Sequence, residues 1–336
     1  MPPDPLDTPS TSHRFCLLAR THHLTPEALE YALRQMGTVP DRHAWRRFID
    51  SLLLLLGTAL TLAGIIFFFA YNWADMTHFT KFGVLQAGVF SLALFASLRG
   101  LEQLSGQSAL LAAAVLLGAL LAVYGQVYQT GADVFSLFLT WAILITPWVL
   151  LGAFAPLWLL LLVLLNLSLI LYWEQIINPP GSDPHTDLFL LLFLLNGVAL
   201  IAWESAYRQG VAWLQSHWLG ILLFTTTLTF LMIPTLITII DFAHWQTHPL
   251  FAVAVVLYVA MTAFNLWYYR SQQRHDLLLL AISLFGVLIV VTTLVARLLP
   301  LGREEISWLV LALVVIGQVY LATKWLLLVN QKWQEA

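Results

Sequence analysis

The sequence predicts an all-α integral membrane protein, a polytopic bundle of about ten transmembrane helices behind a short N-terminal helical module. Three observations carry this. Sixty per cent of the 336 residues are apolar and ten per cent are charged, where soluble domains run at about 45–50% and about 25%. Mean hydropathy is +0.82. The apolar residues are gathered into runs near the roughly 20 residues that a helix needs to cross the hydrocarbon core.

The first fifty residues are polar and mixed, so the chain divides into a cytoplasmic module (1–50) and a membrane domain (51–336). No cleavable signal is expected, because no short apolar run occupies the first 15–30 or so residues. "LTPEALEYALRQMG" (24–37) reads as a helix. Thr25 caps it, Pro26 suits its first position, Glu27 favours its positive end and Gly37 closes it. Leu29, Ala32, Leu33 and Met36 then share a face, and a short helix around Phe15–Ala19 is the expected cover. Cys16, the one cysteine, reads as a packed side chain. "DRHAWRRFID" (41–50) is a basic segment meeting the inner leaflet, with about 1 kcal/mol of attraction per basic residue near an anionic surface.

Ten apolar runs follow: 51–71, 82–99, 107–125, 133–152, 156–173, 187–204, 217–240, 249–269, 277–298 and 306–328. All are expected to be helical, because a backbone in lipid must satisfy its own hydrogen bonds. The division within 133–173 rests on "GAFAP" and above all on Pro156. Without it there are nine crossings, and the termini fall on opposite sides.

Charge sets the orientation. With the N-terminus inside, the inner segments carry twelve cations: Arg14, Arg20, Arg34, Arg42, Arg46, Arg47, Arg99, Arg208, Arg270, Arg274, Lys324 and Lys332. The outer segments carry three: Lys81, Arg297 and Arg303. Basic residues are retained on the cytoplasmic side, so the bias predicts cytoplasmic termini and an even count. Tryptophans near both sets of ends form the expected interfacial belts. A net charge of −3 offers no basic field for nucleic acid. The expected partners are the lipid bilayer and, for an accessory subunit, another membrane protein.

The most polar junctions fall on the outer side. The first span ends in "FFFAYNWADM" (67–76), and the third and fourth meet at "GQVYQTGAD" (125–133). Asn72, Trp73, Asp75, Tyr124, Gln126, Tyr128, Gln129 and Asp133 thus form one candidate cluster. Gly131 permits the turn and Asp133 is placed to cap the returning helix. The cluster either ties helix ends together, with Asn72 near Gln126, or receives a small polar ligand.

"AYNWADM", the basic "TKF" (80–82) and "GQVYQTGADVFSLFLTWAILITPW" (125–148) resemble a family of bacterial membrane proteins catalogued as domain of unknown function 2157. The resemblance spans roughly residues 20–150. It implies a multi-pass protein of the bacterial inner membrane, and no substrate. "GQVY" recurs at 317–320, mid-span and out of register with an inverted repeat, and reads as coincidence.

Three functions compete. A coupled transporter usually keeps ionisable residues inside the membrane. Here Asp50, Glu174, Glu204, Asp241, Arg297 and Lys324 all lie toward ends. The mid-span polar residues are neutral: Asn166, Asn196, Thr225, Thr226, Thr227, Asn265 and Gln318. Interhelical hydrogen bonds, about 0.6 kcal/mol each on average, are their expected role. An enzyme is not expected, since no catalytic motif falls within a span. His244 and His248 in "HWQTH" have the i, i+4 spacing of a metal pair if helical. Pro249 follows at once, so neither a metal nor a cofactor is expected. An accessory or small-ligand-binding membrane subunit is the leading expectation. A transporter or channel for a small solute, not proton-coupled through midspan carboxylates, is the alternative.

Overall fold

The computed structural model describes residues 25–35, 42–71, 76–128, 131, 133–177, 186–241, 250–271, 276–299 and 305–335. Among the described residues every regular element is helical, and ten helices are long and apolar enough to cross a membrane. The chain divides into two compact units, Met1–Leu116 and Leu117–Ala336.

In the first unit, α1 (Pro26–Gln35) starts as the sequence predicts: the Ala28 amide donates to Thr25 Oγ1 at 3.3 Å. Leu29 and Leu33 are the half-buried positions described on its face. Arg34 and Glu30 pair at 2.6 Å on the exposed side. The proposed companion helix around Phe15 and the closing Gly37 lie outside the described residues. The second helix, α2 (Arg42–Tyr71), is continuous from the basic segment into the first span. One helix therefore places the cationic turn at the end of a hydrocarbon-length rod.

Helix α3 (His78–Arg99) is capped by Thr77, whose Oγ1 accepts from the Thr80 amide at 3.3 Å. Lys81, in its first turn, is only 4% exposed. A tight turn brings α4 (Leu104–Tyr128) back. Small residues of α4 are among the most buried: Ala109, Ala112, Ala113 and Ala114. Close approach of helices through small side chains is how spans associate without a hydrophobic drive.

The second unit begins within α4. Next come α5 (Val134–Gly152) and α6 (Ala155–Tyr172), the latter extended by a π-turn, Trp173–Ile177. The break in 133–173 is real. Ala153 is left-handed at φ 41°, Phe154 is extended, and Pro156 stands in the first turn of α6. The two helices fold back as an antiparallel pair.

Helix α7 (Thr186–Arg208) packs on α8 (His217–Ile240), which also contacts α9 (Leu250–Ser271) and α10 (Leu277–Leu298). This makes α8 the centre of the unit. Its buried face includes Phe224, Leu228 and Leu231, meeting Tyr258, Leu279 and Leu280, and Leu223, which packs with Trp203 and Leu219. The last helix, α11 (Glu305–Glu335), rests on α10, where Thr292 donates to Gln318 Oε1 at 3.1 Å.

Three of the seven neutral mid-span polar residues, Asn166, Asn196 and Gln318, have the expected interhelical role. Asn196, fully buried, donates to Asn166 Oδ1 at 2.6 Å. Asn166 returns the bond at 3.3 Å. Each amide also donates to the carbonyl four residues back at 2.8 Å, Leu162 and Leu192. Two helices are thus clamped by a reciprocal amide pair with its donors used. Thr225 and Thr227 instead bond within their own helix.

Candidate functional site

The "GQVYQTGAD" stretch becomes the last turn of α4, a turn, and the N-terminus of α5. Gly131 has φ 59°, a left-handed conformation that glycine adopts without steric cost. Asp133 occupies the N-cap position as the sequence predicts, but its carboxylate makes no capping hydrogen bond. Its backbone carbonyl accepts from the Ser136 amide at 3.0 Å and from Ser136 Oγ at 2.6 Å. The capping role falls to Gln175, whose Oε1 accepts from the Phe135 amide at 3.3 Å. Gln175 sits in the π-turn that ends α6, and Phe135 meets Tyr172 edge-on with ring centroids 5.0 Å apart. The returning helix is therefore capped from its neighbour, which leaves the Asp133 side chain free of that task.

A groove of about 640 Å³ opens between the end of α4 and the start of α5. Gly125 forms part of its lining, flanked by Tyr124 and Gln126. Asp133, Ser136 and Thr140 line the other wall. A Cβ at Gly125 would meet nothing within 4 Å, so the glycine leaves room in the groove. About two turns below, Gly118 lies directly against the Trp141 ring, which holds the two helices together at the base. Tyr124 and Tyr128 pack ring on ring at 4.8 Å and 43°, both half or more exposed.

Two of the named residues keep their polar groups uncommitted. Among the described residues, the side chains of Gln126 and Asp133 are engaged in no hydrogen bond, and the same holds for Thr140. The groove thus presents a carboxylate, an amide and a hydroxyl beside aromatic faces. That set suits a small polar or cationic guest, since carboxylates accept hydrogen bonds and ring faces attract cations.

Tyr124, Gln126, Tyr128 and Asp133 are brought to one place. Asn72, Trp73, Asp75 and Gln129 lie outside the described residues, as do His244 and His248. Among the described residues no three histidine, cysteine or acidic side chains come together as a metal site. Sequence reading missed Ser136 and Thr140, which share a helical face at i, i+4, and the capping Gln175, which carries no local signal. It also took Lys81 for an ordinary loop cation. Its burial is a tertiary fact.

Residues 17–158 match the model of a family described as predicted membrane protein (DUF2157). This is the family whose motifs the sequence resembles, and the matched stretch contains the whole groove. No curated protein and no solved structure matches the chain.

Proposed function

We propose that this multi-pass membrane protein is a binding subunit, not an enzyme, that takes a small polar solute into the α4–α5 groove at the outer face of a bacterial inner membrane. The carrying observation is that, among the described residues, the Gln126 and Asp133 side chains are uncommitted in a groove of about 640 Å³. The α5 terminus is capped by Gln175, so the Asp133 carboxylate is available to a solute. The outer placement rests on the twelve-to-three distribution of cations. An even number of spans supports termini on one side, and the charge bias favours the cytoplasm.

Coupled transport is the weaker reading. Asn166 and Asn196, the most central polar pair, bond each other and offer no open coordination to a passing solute. No cofactor is called for by the groove's chemistry, and a protein partner at the outer face remains compatible with it.

The test is thermal unfolding of the purified protein in detergent against a panel of amines, polyols and amino acids. A saturable rise in Tm with one class, lost in Asp133→Asn and Gln126→Leu, supports the reading. A panel without any shift contradicts it. So do variants that lower Tm by several degrees in the absence of solute, which would mark the cluster as structural.

A further inference from the structure

Two cations of the second unit stand beside an apolar crevice. Arg270 lies in the last turn of α9, and Lys324 lies on α11. Their helices contribute to one buried cluster, which includes Tyr269 and Val329 and has Trp325 packed against it. Both cations are exposed. Among the described residues, neither takes part in an ion pair or a hydrogen bond. The acids of the adjoining turns are committed elsewhere. Glu204 accepts from Tyr268 at 3.0 Å and pairs with Arg208 at 3.3 Å. Asp276 caps α10, accepting from the Leu278 and Leu279 amides at 3.2 Å. A cation at the end of a span with no protein counter-ion is left to attract anions of the membrane surface.

A hollow of about 450 Å³ is lined by Leu266, Trp267, Arg270 and Trp325. It shares Leu266 and Trp325 with a crevice of about 620 Å³, to which α10 contributes Leu284, Val287, Leu288 and Val291. Lys324 is also in the crevice lining. On α11 that lining runs from Gln318 to Leu328, ten residues or roughly 15 Å at 1.5 Å per residue. One leaflet of a hydrocarbon core of about 30 Å is equally deep. Leu321 and Leu328 are 65% and 48% exposed, so within apolar spans the crevice opens sideways to lipid. Gln318, the one uncharged polar residue in the lining, already accepts from Thr292 at 3.1 Å.

Charge and shape together select the occupant. Two cations and no acid in either lining call for a net anion. An apolar wall one leaflet deep calls for a hydrocarbon chain. Long stems let Arg and Lys cover apolar surface while their charges reach toward the head groups, and Trp267 and Trp325 suit that same boundary. A free phosphate would leave the apolar wall uncovered, and a zwitterionic head group would bring a cation of its own to two others. The other apolar hollows lack this pairing. Arg297 is the single cation in the chamber of about 890 Å³ between α8, α9 and α10, and the cavity of about 480 Å³ among α6, α7 and α8 has no charged residue in its lining.

We propose that the crevice formed by α9, α10 and α11 binds an anionic phospholipid, with its head group at Arg270 and Lys324 and an acyl chain along the α10 wall. The site is separate from the α4–α5 groove and does not depend on it.

The full chain, stripped of lipid in detergent, is titrated with dioleoyl phosphatidylglycerol and with dioleoyl phosphatidylcholine, and binding is read as the rise in Tm with lipid concentration. A saturable rise is expected with phosphatidylglycerol, and a weaker one or none with phosphatidylcholine. Arg270→Gln and Lys324→Gln should each weaken phosphatidylglycerol binding about fivefold, and the double change about twenty-five-fold, the worth of one and two basic residues beside an anionic membrane. Arg99→Gln and Arg297→Gln, which remove exposed cations elsewhere, should bind as the parent does. Glycerol phosphate, a head group without chains, should give no rise. Elution as a single species on gel filtration identifies the variants that fold, and either single variant suffices. Equal rises with the two lipids would mark unselective lipid coating. An equal loss in Arg99→Gln would mark a diffuse effect of charge, and a rise with glycerol phosphate a site for the free anion. Each of these overturns the proposal, as does unchanged binding in the folded variants.

Discussion

Asn166 and Asn196 show what a polar residue must do inside a span. Each amide has a partner on the other helix and a second on its own. Asn196→Leu leaves Asn166 Oδ1 without its donor and should cost about 1–3 kcal/mol, above the average of about 0.6 for a bond between spans. The double change to leucine should recover part of that loss, because neither amide is then unpaired. Unfolding of the two single variants and the double variant measures the coupling; strictly additive losses would show that the pair is not a unit. Gly125 makes the converse case. Because a Cβ there meets open space, Gly125→Ala should stabilise α4 by roughly 0.5–1 kcal/mol, while Gly125→Leu should fill the groove and abolish solute binding. A loss of stability in the alanine variant would mean that the groove is not empty. At this scale the sequence was informative about position but not about partner. Asp133 stands at the cap, yet Gln175, 42 residues later, does the capping. No local pattern encodes a contact that only the α5–α6 hairpin creates.

Helices were the most legible level, because the hydrocarbon core fixes their length and composition. Each of the ten apolar runs corresponds to one of the ten long apolar helices. The hardest boundary, "GAFAP", was readable because Pro156 suits a first turn and disfavours a helix interior. Its left-handed Ala153 was not, since no alanine signals that conformation. Reporter fusions after Arg99 and after Arg208 should therefore report the same side of the membrane. Opposite readings would mean that α5 and α6 do not both cross. The start of α2 was less legible: the basic segment is part of the spanning helix, since polarity marks where lipid ends, not where hydrogen bonding stops. On α9 only Asn265 was visible as a neutral mid-span polar group, and its burial is set by packing that no local pattern encodes.

For the whole molecule, the bilayer explains most of the composition and leaves one feature over, the α4–α5 groove, whose amide and carboxylate are exposed and available to a solute. The proposed orientation rests on the charge bias, so the groove's accessibility tests position and purpose together. The most direct measurement uses a chain in which Cys16, the one cysteine, is replaced by serine and Gln126 is changed to cysteine. Intact spheroplasts are treated with a membrane-impermeant maleimide. The account predicts rapid labelling without permeabilisation, slowed by whichever solute raises Tm. Labelling only after permeabilisation would put the groove on the other side, and no labelling in either condition would show that it is closed, contradicting a binding site open at the outer face.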